Sequence, residues 1–254
     1  MVFKNVNAII SGGGSGLGLA TAKMIIENGG KAIALDLDKK NIDASIINND
    51  NYFFISNDVS SEEITKKNIE YAFAEFENIS LIVNCAGIGF PSKVIAKEGV
   101  HSGNLFKKII NVNLIGSFNV LKFAAEKMQK NECDDDGFRG LIINTASIAA
   151  FDGQIGQSAY SASKGGIVAI TLPIARELAR QRIRVNTIAP GLFETPLLAG
   201  LPEEAKKSLI DSTLHPHRLG QPNEYGALVK HIYENEMLNG ETIRLDGSLR
   251  MAPK

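Results

Sequence analysis

Charge of one sign is not in excess in this 254-residue chain, where 27 lysines and arginines stand against 28 aspartates and glutamates. The net charge of −1 gives no global drive toward nucleic acid or an anionic membrane surface, which favour a basic patch or excess. Cysteine is nearly absent. Cys85 and Cys133 are too few for a disulfide framework and lack the spacing of a zinc site, so a reducing compartment is the simplest reading. No apolar run approaches the roughly 18 residues of a membrane span. Met1–Ile10 holds one lysine, no arginine and no apolar stretch ending in a small-residue cleavage site. It reads as neither a secretory signal nor a mitochondrial presequence. The expected compartment is the cytoplasm, with the mitochondrial matrix as the alternative. No proline- or serine-rich linker divides the chain and no repeat is visible, so residues 1–254 read as one domain.

What is present is a globular composition, 44% apolar, in which short β-branched runs alternate with longer helical patterns. Strands are predicted at Val6–Ser11, Lys31–Leu35, Tyr52–Ser56, Ser80–Asn84, Gly140–Thr145, Ile183–Ile188 and Glu241–Leu245. Helical patterns cover Gly16–Asn28, Lys39–Asn49, Ser61–Glu77, about Leu105–Lys130, Gln157–Arg180, about Pro196–Ser212 and Asn223–Glu234. The alternation argues an α/β fold with a doubly wound parallel sheet of about seven strands. Wholly apolar runs such as Leu81-Ile82-Val83 suit strands buried on both faces. Glu132 and Asp134-Asp135-Asp136 mark Lys130–Arg139 as an exposed acidic loop.

The first strand runs into Ser11-Gly12-Gly13-Gly14-Ser15-Gly16-Leu17-Gly18 and then a helix. Glycines there permit a tight turn and close approach to a pyrophosphate, and the helix start offers free N–H groups with partial positive charge. The spacing of Gly12, Gly16 and Gly18 is G-x-x-x-G-x-G, which differs from the usual dinucleotide fingerprint and lacks the Gly-Lys-Ser/Thr ending of a P-loop. Its position between strand and helix carries more weight than the glycines themselves. Asp36 ends the second strand. A carboxylate there accepts hydrogen bonds from ribose hydroxyls and repels a 2′-phosphate, so NAD is favoured over NADP. Asp58-Val59 follows the third strand, where it could meet the adenine.

Tyr160 and Lys164 stand at i and i+4 on a predicted helix and share a face. A tyrosine with its usual pKa of about 10 is a poor base at neutral pH, and a neighbouring ammonium favours the phenolate. Ser147 follows the fifth strand, on the same sheet edge as the glycine turn. His215 and His217 flank Pro216 without a carboxylate or cysteine to complete a metal site, and they read as exposed loop residues. Cys85, within Asn84-Cys85-Ala86-Gly87, reads as a small packed residue rather than a nucleophile.

In the order and spacing of the Gly12–Gly18 turn, Asp58, Asn84–Gly87, Asn113, Ser147, Tyr160/Lys164 and Pro190-Gly191, the sequence resembles the short-chain dehydrogenases/reductases over nearly its whole length. The resemblance implies a Rossmann-type single domain with Tyr160 as acid/base at the substrate oxygen. It implies that Lys164 lowers the Tyr160 pKa and binds the nicotinamide ribose, that Ser147 positions the substrate oxygen, and that Asn113 holds a relay water. Asn84–Gly87 would stand beside the cofactor, and Pro190–Thr195 would face the nicotinamide. The residues matching the family's NAD contacts are Ser15, Leu17, Asp36, Asp58, Val59, Cys85, Tyr160, Lys164 and Phe193, beside Gly12, Gly16, Gly18, Gly87, Pro190 and Thr195.

Within the family, Asn144–Phe151, Thr171–Arg176, the Asn239–Arg250 stretch and the extra segment Pro91–Asn104 resemble a group that interconverts 3-hydroxyacyl-CoA and 3-oxoacyl-CoA with NAD. That implies an acyl-CoA thioester as substrate, a homotetramer, and a substrate lid at about residues 192–222. The alternatives are an acyl-carrier-protein thioester, an alcohol or a steroid as substrate, or an NAD-binding scaffold. No metal, nucleic acid or membrane partner is expected. Asn111 stands where an aspartate is common, and Leu198–His217 is less similar than the rest.

Overall fold

Apolar runs pair into a sheet because buried backbone N–H and C=O groups need partners, and both faces of a parallel sheet need cover. The computed structural model describes residues 2–39, 42, 44–97, 99–135, 137–199 and 210–253. Its strands are β1 (Asn7–Ser11), β2 (Ala32–Asp36), β3 (Tyr52–Ser56), β4 (Ile79–Asn84), β5 (Ile95–Ala96), β6 (Gly99–Val100), β7 (Gly140–Thr145), β8 (Ile183–Pro190) and β9 (Thr242–Leu245). Seven of them form a parallel sheet in the order β3-β2-β1-β4-β7-β8-β9. The other two, β5 and β6, form a small antiparallel hairpin inside the extra segment Pro91–Asn104, where the sequence signals no strand.

The helices are α1 (Gly16–Glu27), α2 (Ala44–Ile47), α3 (Glu62–Glu75), α4 (Gly103–Ile110), α5 (Gly116–Met128), α6 (Ser158–Leu178), α7 (Pro196–Ala199) and α8 (Pro222–Glu234). Side chains alternate across the pleat, so each strand feeds two cores. Ala8, Ile10, Leu81 and Val83 join Ala22 and Ile25 of α1 and Val229 and Ile232 of α8. Ile9, Ile82 and Ile142 face the other way, onto Ile69 of α3, Val120 and Ala124 of α5 and Ile174 of α6. Helices on both faces of a parallel sheet confirm the doubly wound architecture that the alternation of patterns predicts.

Three boundaries differ from the sequence reading. The long pattern Leu105–Lys130 is two α-helices joined by a π-helical turn at Asn111–Ile115. β8 runs two residues further than predicted and takes in Pro190, which ends it at the site edge. Lys39–Asn49 is helical only at Ala44–Ile47 among the described residues. Most of the pattern Pro196–Ser212 lies outside the described residues, as does Asp136 of the acidic loop; its described acids Glu132, Asp134 and Asp135 are exposed.

Arg184 of β8 is the one arginine of the buried set, 3% exposed. Its guanidinium donates to the carbonyls of Ile232, Tyr233, Asn235 and Leu238 at 2.7–3.1 Å and so ties the end of α8 to the sheet. A buried cation with fixed acceptors is costly to remove from one side, because the acceptors remain without donors. Arg184→Met is expected to lower unfolding free energy by about 2–4 kcal/mol in urea titration. A midpoint equal to that of the unaltered chain would show that the carbonyls find other donors.

Candidate active site

The strand order turns back between β1 and β4, and open α/β sheets bind ligands at such a point, beyond the carboxyl ends of the strands. The glycine turn lies there. Gly12 has φ +69°, and a Cβ on it would come 2.8 Å from the backbone N of Ala86 in the loop after β4. A Cβ on Gly18 would overlap the carbonyl oxygen of Gly12. The turn and the start of α1 are therefore as close as backbone permits, for a reason that only glycine satisfies. Ser15 caps α1 in extended conformation without a side-chain cap bond, and the first turn of α1 holds no acidic residue. Gly16, also at positive φ, lies with Leu17 at that helix start, and Thr195 and Pro196 approach Gly16 from the other side. The result is a concave, anion-compatible helix start.

Asp36 ends β2 beside this turn. Its Oδ2 accepts the N–H of Gly14 at 3.0 Å and its Oδ1 accepts the N–H of Leu37 at 2.8 Å. The carboxylate is thus fixed at the rim of the turn with lone pairs left for further donors. Tyr52, which the sequence reading passed over, supports the same turn: its hydroxyl donates to the Gly13 carbonyl at 3.2 Å. Burial, and the charge of Asp36 next, push the Tyr52 phenol up to about 12. Asp58 spends Oδ1 on the backbone N–H and hydroxyl of Ser60, and Val59 is buried against Gly116. Phe193 is buried and packs on Gly220, with which it forms an isolated parallel bridge.

The ends of β4, β7 and α6 bring the chemical groups together. Ser147 follows β7, and its hydroxyl accepts the Ala149 N–H at 3.1 Å and lies near the Tyr160 phenol. The Tyr160 ring rests on Gly89, with a built Cβ there 3.6 Å away. Lys164, 4% exposed, points its amine at the Thr145 carbonyl, 2.8 Å away, and lies 5.8 Å from the centre of the Tyr160 ring. Gly87 leaves room above it: a Cβ there would stand 3.3 Å from Asn113 Oδ1 and 3.5 Å from Lys164 Nζ.

Asn113 is fully buried in the π-helical turn. Such wide turns are frequent at functional sites. Its Oδ1 accepts the Ile88 N–H at 2.8 Å, and its Nδ2 donates to the Ile88 carbonyl and to Ser163 Oγ. Asn84 ties the strands beneath: it accepts from Ser11 and donates to Asn144 and to the Ser117 carbonyl.

The net direction at Tyr160 is set by burial, which outweighs any help from Lys164. Burial pushes the Tyr160 phenol up, and the nearby Ser147 hydroxyl acts against that rise. Burial also lowers the Lys164 ammonium to about 8, against the opposing pull of Cys85. The physical reason is that both groups are desolvated together, and the amine is directed to a neutral carbonyl instead of the phenol oxygen.

The sequence-predicted residues thus lie at the carboxyl edge of the parallel sheet, with Asp58 and Val59 after β3 packed toward Ser60 and Gly116. His215 and His217 form no metal group among the described residues, where no cluster of three or more ligating side chains occurs. No helix of the described residues is long and apolar enough to cross a membrane.

A nucleotide-sized turn over a parallel sheet, with serine, tyrosine and lysine at the neighbouring strand ends, defines a dehydrogenase of the Rossmann type. The sequence pattern of the family described as short chain dehydrogenase matches residues 6–206, and the chain belongs to that family. It is 50% identical over 253 residues to 3-hydroxyacyl-CoA dehydrogenase type-2 of Bos taurus, covering 98% of this chain and 97% of that one. It is 48% identical to the protein of the same name from Drosophila melanogaster, covering 99% of this chain and all of that one. Among solved structures, 3-hydroxyacyl-CoA dehydrogenase type-2 from Mycobacterium avium superposes with a TM-score of 0.93 at 35% identity, covering 99% and 98% of the two chains.

Proposed function

We propose that this protein interconverts 3-hydroxyacyl-CoA and 3-oxoacyl-CoA with NAD. The observation that supports this most is near-half identity, end to end, with proteins named for that reaction. The residues present fit the cofactor. The Gly12–Gly18 cradle leaves no room for side chains, the helix start carries no acid to repel a pyrophosphate, and Asp36 stands fixed where ribose hydroxyls would reach it. A 2′-phosphate would meet the Asp36 carboxylate, which favours NAD over NADP.

Bound there, the nicotinamide supplies the hydride acceptor or donor. The chain's own part is to hold and move a proton. Ser147 and Tyr160 converge on one oxygen of the substrate. In oxidation the Tyr160 oxygen takes the hydroxyl proton, and in reduction it returns one to the carbonyl oxygen. Lys164 faces the ribose, and its charge, when present, favours the phenolate. Asn113 holds the loop at Ile88 against α6, which keeps Tyr160 in register, and it is the proposed anchor of the relay water. Pro190, Phe193 and Thr195 would face the nicotinamide, Gly87 would lie beside the cofactor next to Lys164, and Cys85 would stand beside the adenosine. In this reading the lid lies at about residues 192–222, of which 200–209 fall outside the described residues, and four copies assemble.

The deciding assay is consumption of NADH by purified protein with acetoacetyl-CoA, with NADPH in parallel. Fast oxidation of NADH and at least about tenfold slower oxidation of NADPH are expected, tenfold being about 1.4 kcal/mol of discrimination. Preference for NADPH would overturn the use of Asp36 and move the substrate toward a carrier-protein thioester. Clear NADH binding without turnover would keep the cofactor and discard the acyl-CoA.

A further inference from the structure

Below the reacting groups lies a buried polar triangle that the proposed chemistry does not use. Thr145 Oγ1 is 2.7 Å from the Tyr225 hydroxyl and 3.6 Å from Cys85 Sγ, and Cys85 Sγ is 3.7 Å from the Tyr225 hydroxyl. Thr145 donates to Cys85 and Cys85 donates to Tyr225. The ring closes if Tyr225 donates to Thr145. Each group then gives one proton and takes one, which satisfies three buried polar atoms without water. Tyr225 is the largest fully buried side chain of the molecule's described core, and its phenol is held well above its ordinary value by burial, so it stays a neutral donor.

Thr145 is the hinge of the arrangement. Its side chain belongs to this triangle, while its carbonyl accepts the Lys164 amine at 2.8 Å. The end of β7 is therefore gripped at both sides, by α8 through Tyr225 and by α6 through Lys164. The titratable groups facing Lys164 are Cys85 from the loop after β4 and Tyr160 on its own helix, and Tyr225 faces Cys85. No carboxylate contributes to either site; Cys85 is the titratable group that favours the ammonium, and the Thr145 carbonyl is the acceptor to which the amine donates.

We infer that Tyr225, with Thr145, is a positioning residue for Lys164: the phenol fixes the strand end whose carbonyl holds the amine in place. The inference rests on Lys164 serving as the proposed function has it. When the phenol oxygen is removed, Thr145 loses its donor, the strand end loosens, and the amine loses its acceptor. An ammonium without that acceptor is disfavoured, and less positive charge beside Tyr160 makes its phenolate form at higher pH.

The test compares Tyr225→Phe, Thr145→Val and the double variant with Tyr233→Phe, using oxidation of 3-hydroxybutyryl-CoA by NAD against pH and NADH binding by fluorescence. Tyr233 is the matched control, a second buried phenol on α8, bonded to Ser80 at 3.3 Å. Tyr225→Phe is expected to lower kcat for oxidation roughly tenfold near neutral pH with the KM for 3-hydroxybutyryl-CoA within about twofold, and to recover as the pH rises above about 9. Thr145→Val should reproduce this, and the double variant should add little to either, since coupled groups act as a unit. Tyr233→Phe should lose thermal stability yet keep the pH profile of the unaltered chain. A Tyr225→Phe profile superimposable on wild type, or the same shift in Tyr233→Phe, overturns the inference. If Tyr225→Phe does not fold, Thr145→Val decides the question by the same profile. If the unaltered protein binds NADH and does not turn over acetoacetyl-CoA, the acyl-CoA reading fails alone. The positioning role is then judged by NADH binding, expected to weaken about tenfold in Tyr225→Phe relative to Tyr233→Phe. Equal affinity in the two variants would sink it.

Discussion

Tyr160→Phe is expected to cut kcat by about 10²–10⁴-fold, the range that a positioned acid/base supplies, with NADH affinity within about threefold of wild type. The substitution removes one oxygen and leaves the ring on Gly89, so packing is preserved. The direction of the pH dependence follows from burial. A phenol pushed up by desolvation is protonated at neutral pH and ready to donate, which suits reduction of a 3-oxo group. Oxidation needs the phenolate and should rise with pH until Tyr160 has titrated. Steady-state rates in both directions across pH check both parts. Turnover in Tyr160→Phe within about tenfold of wild type would remove Tyr160 from the proton path.

Gly18→Ala is expected to abolish NADH binding at concentrations that saturate the unaltered protein, and to cost about 1–3 kcal/mol of stability through overpacking. The new Cβ would overlap the Gly12 carbonyl oxygen and stand 2.8 Å from its carbon. Neither is the end of a flexible side chain, so the turn or the start of α1 must move, and the close approach on which the cradle depends is lost. Gly103→Ala provides the contrast, because a Cβ there meets nothing within 4 Å. It should leave binding and melting temperature unchanged. Fluorescence titration with NADH and thermal melts of both variants decide the matter. Retained binding in Gly18→Ala would show that the turn can open without losing its ligand.

The strands and the glycine turn were legible because they depend on local pattern. Leu81-Ile82-Val83 and Leu141-Ile142-Ile143 are apolar at every position, and only strands covered on both faces bury all of them. Tyr160 and Lys164 were legible because helix spacing puts them on one face. The π-helical turn at Asn111–Ile115 was not. Its sequence continues the helical pattern, and what widens the turn is a contact 25 residues back, between Asn113 and Ile88. The Cys85–Thr145–Tyr225 triangle joins residues 60 and 80 positions apart, and each of them reads as an ordinary apolar or small polar residue in its own segment. The electrostatic direction at Tyr160 escaped for a related reason. Spacing shows that a lysine is near, but only coordinates show that its amine faces the Thr145 carbonyl.

Arg184 carries a consequence for the order in which the chain comes together during synthesis. Its acceptors, the carbonyls of Ile232, Tyr233, Asn235 and Leu238, lie 48 to 54 residues further along the chain. While the ribosome is still making that stretch, β8 has its β7 partner but neither its guanidinium acceptors nor β9. A nascent chain that ends short of Leu238 therefore holds a cation that the sheet cannot bury and a strand edge that stays open. The N-terminal third, β1 to β4 with α1 and α3, can pair its own four strands earlier, while the outer edge of β4 waits for β7 and the core under α1 waits for α8. The emergence of α8 and β9 therefore closes the Arg184 site, the β8 edge and the core under α1 together.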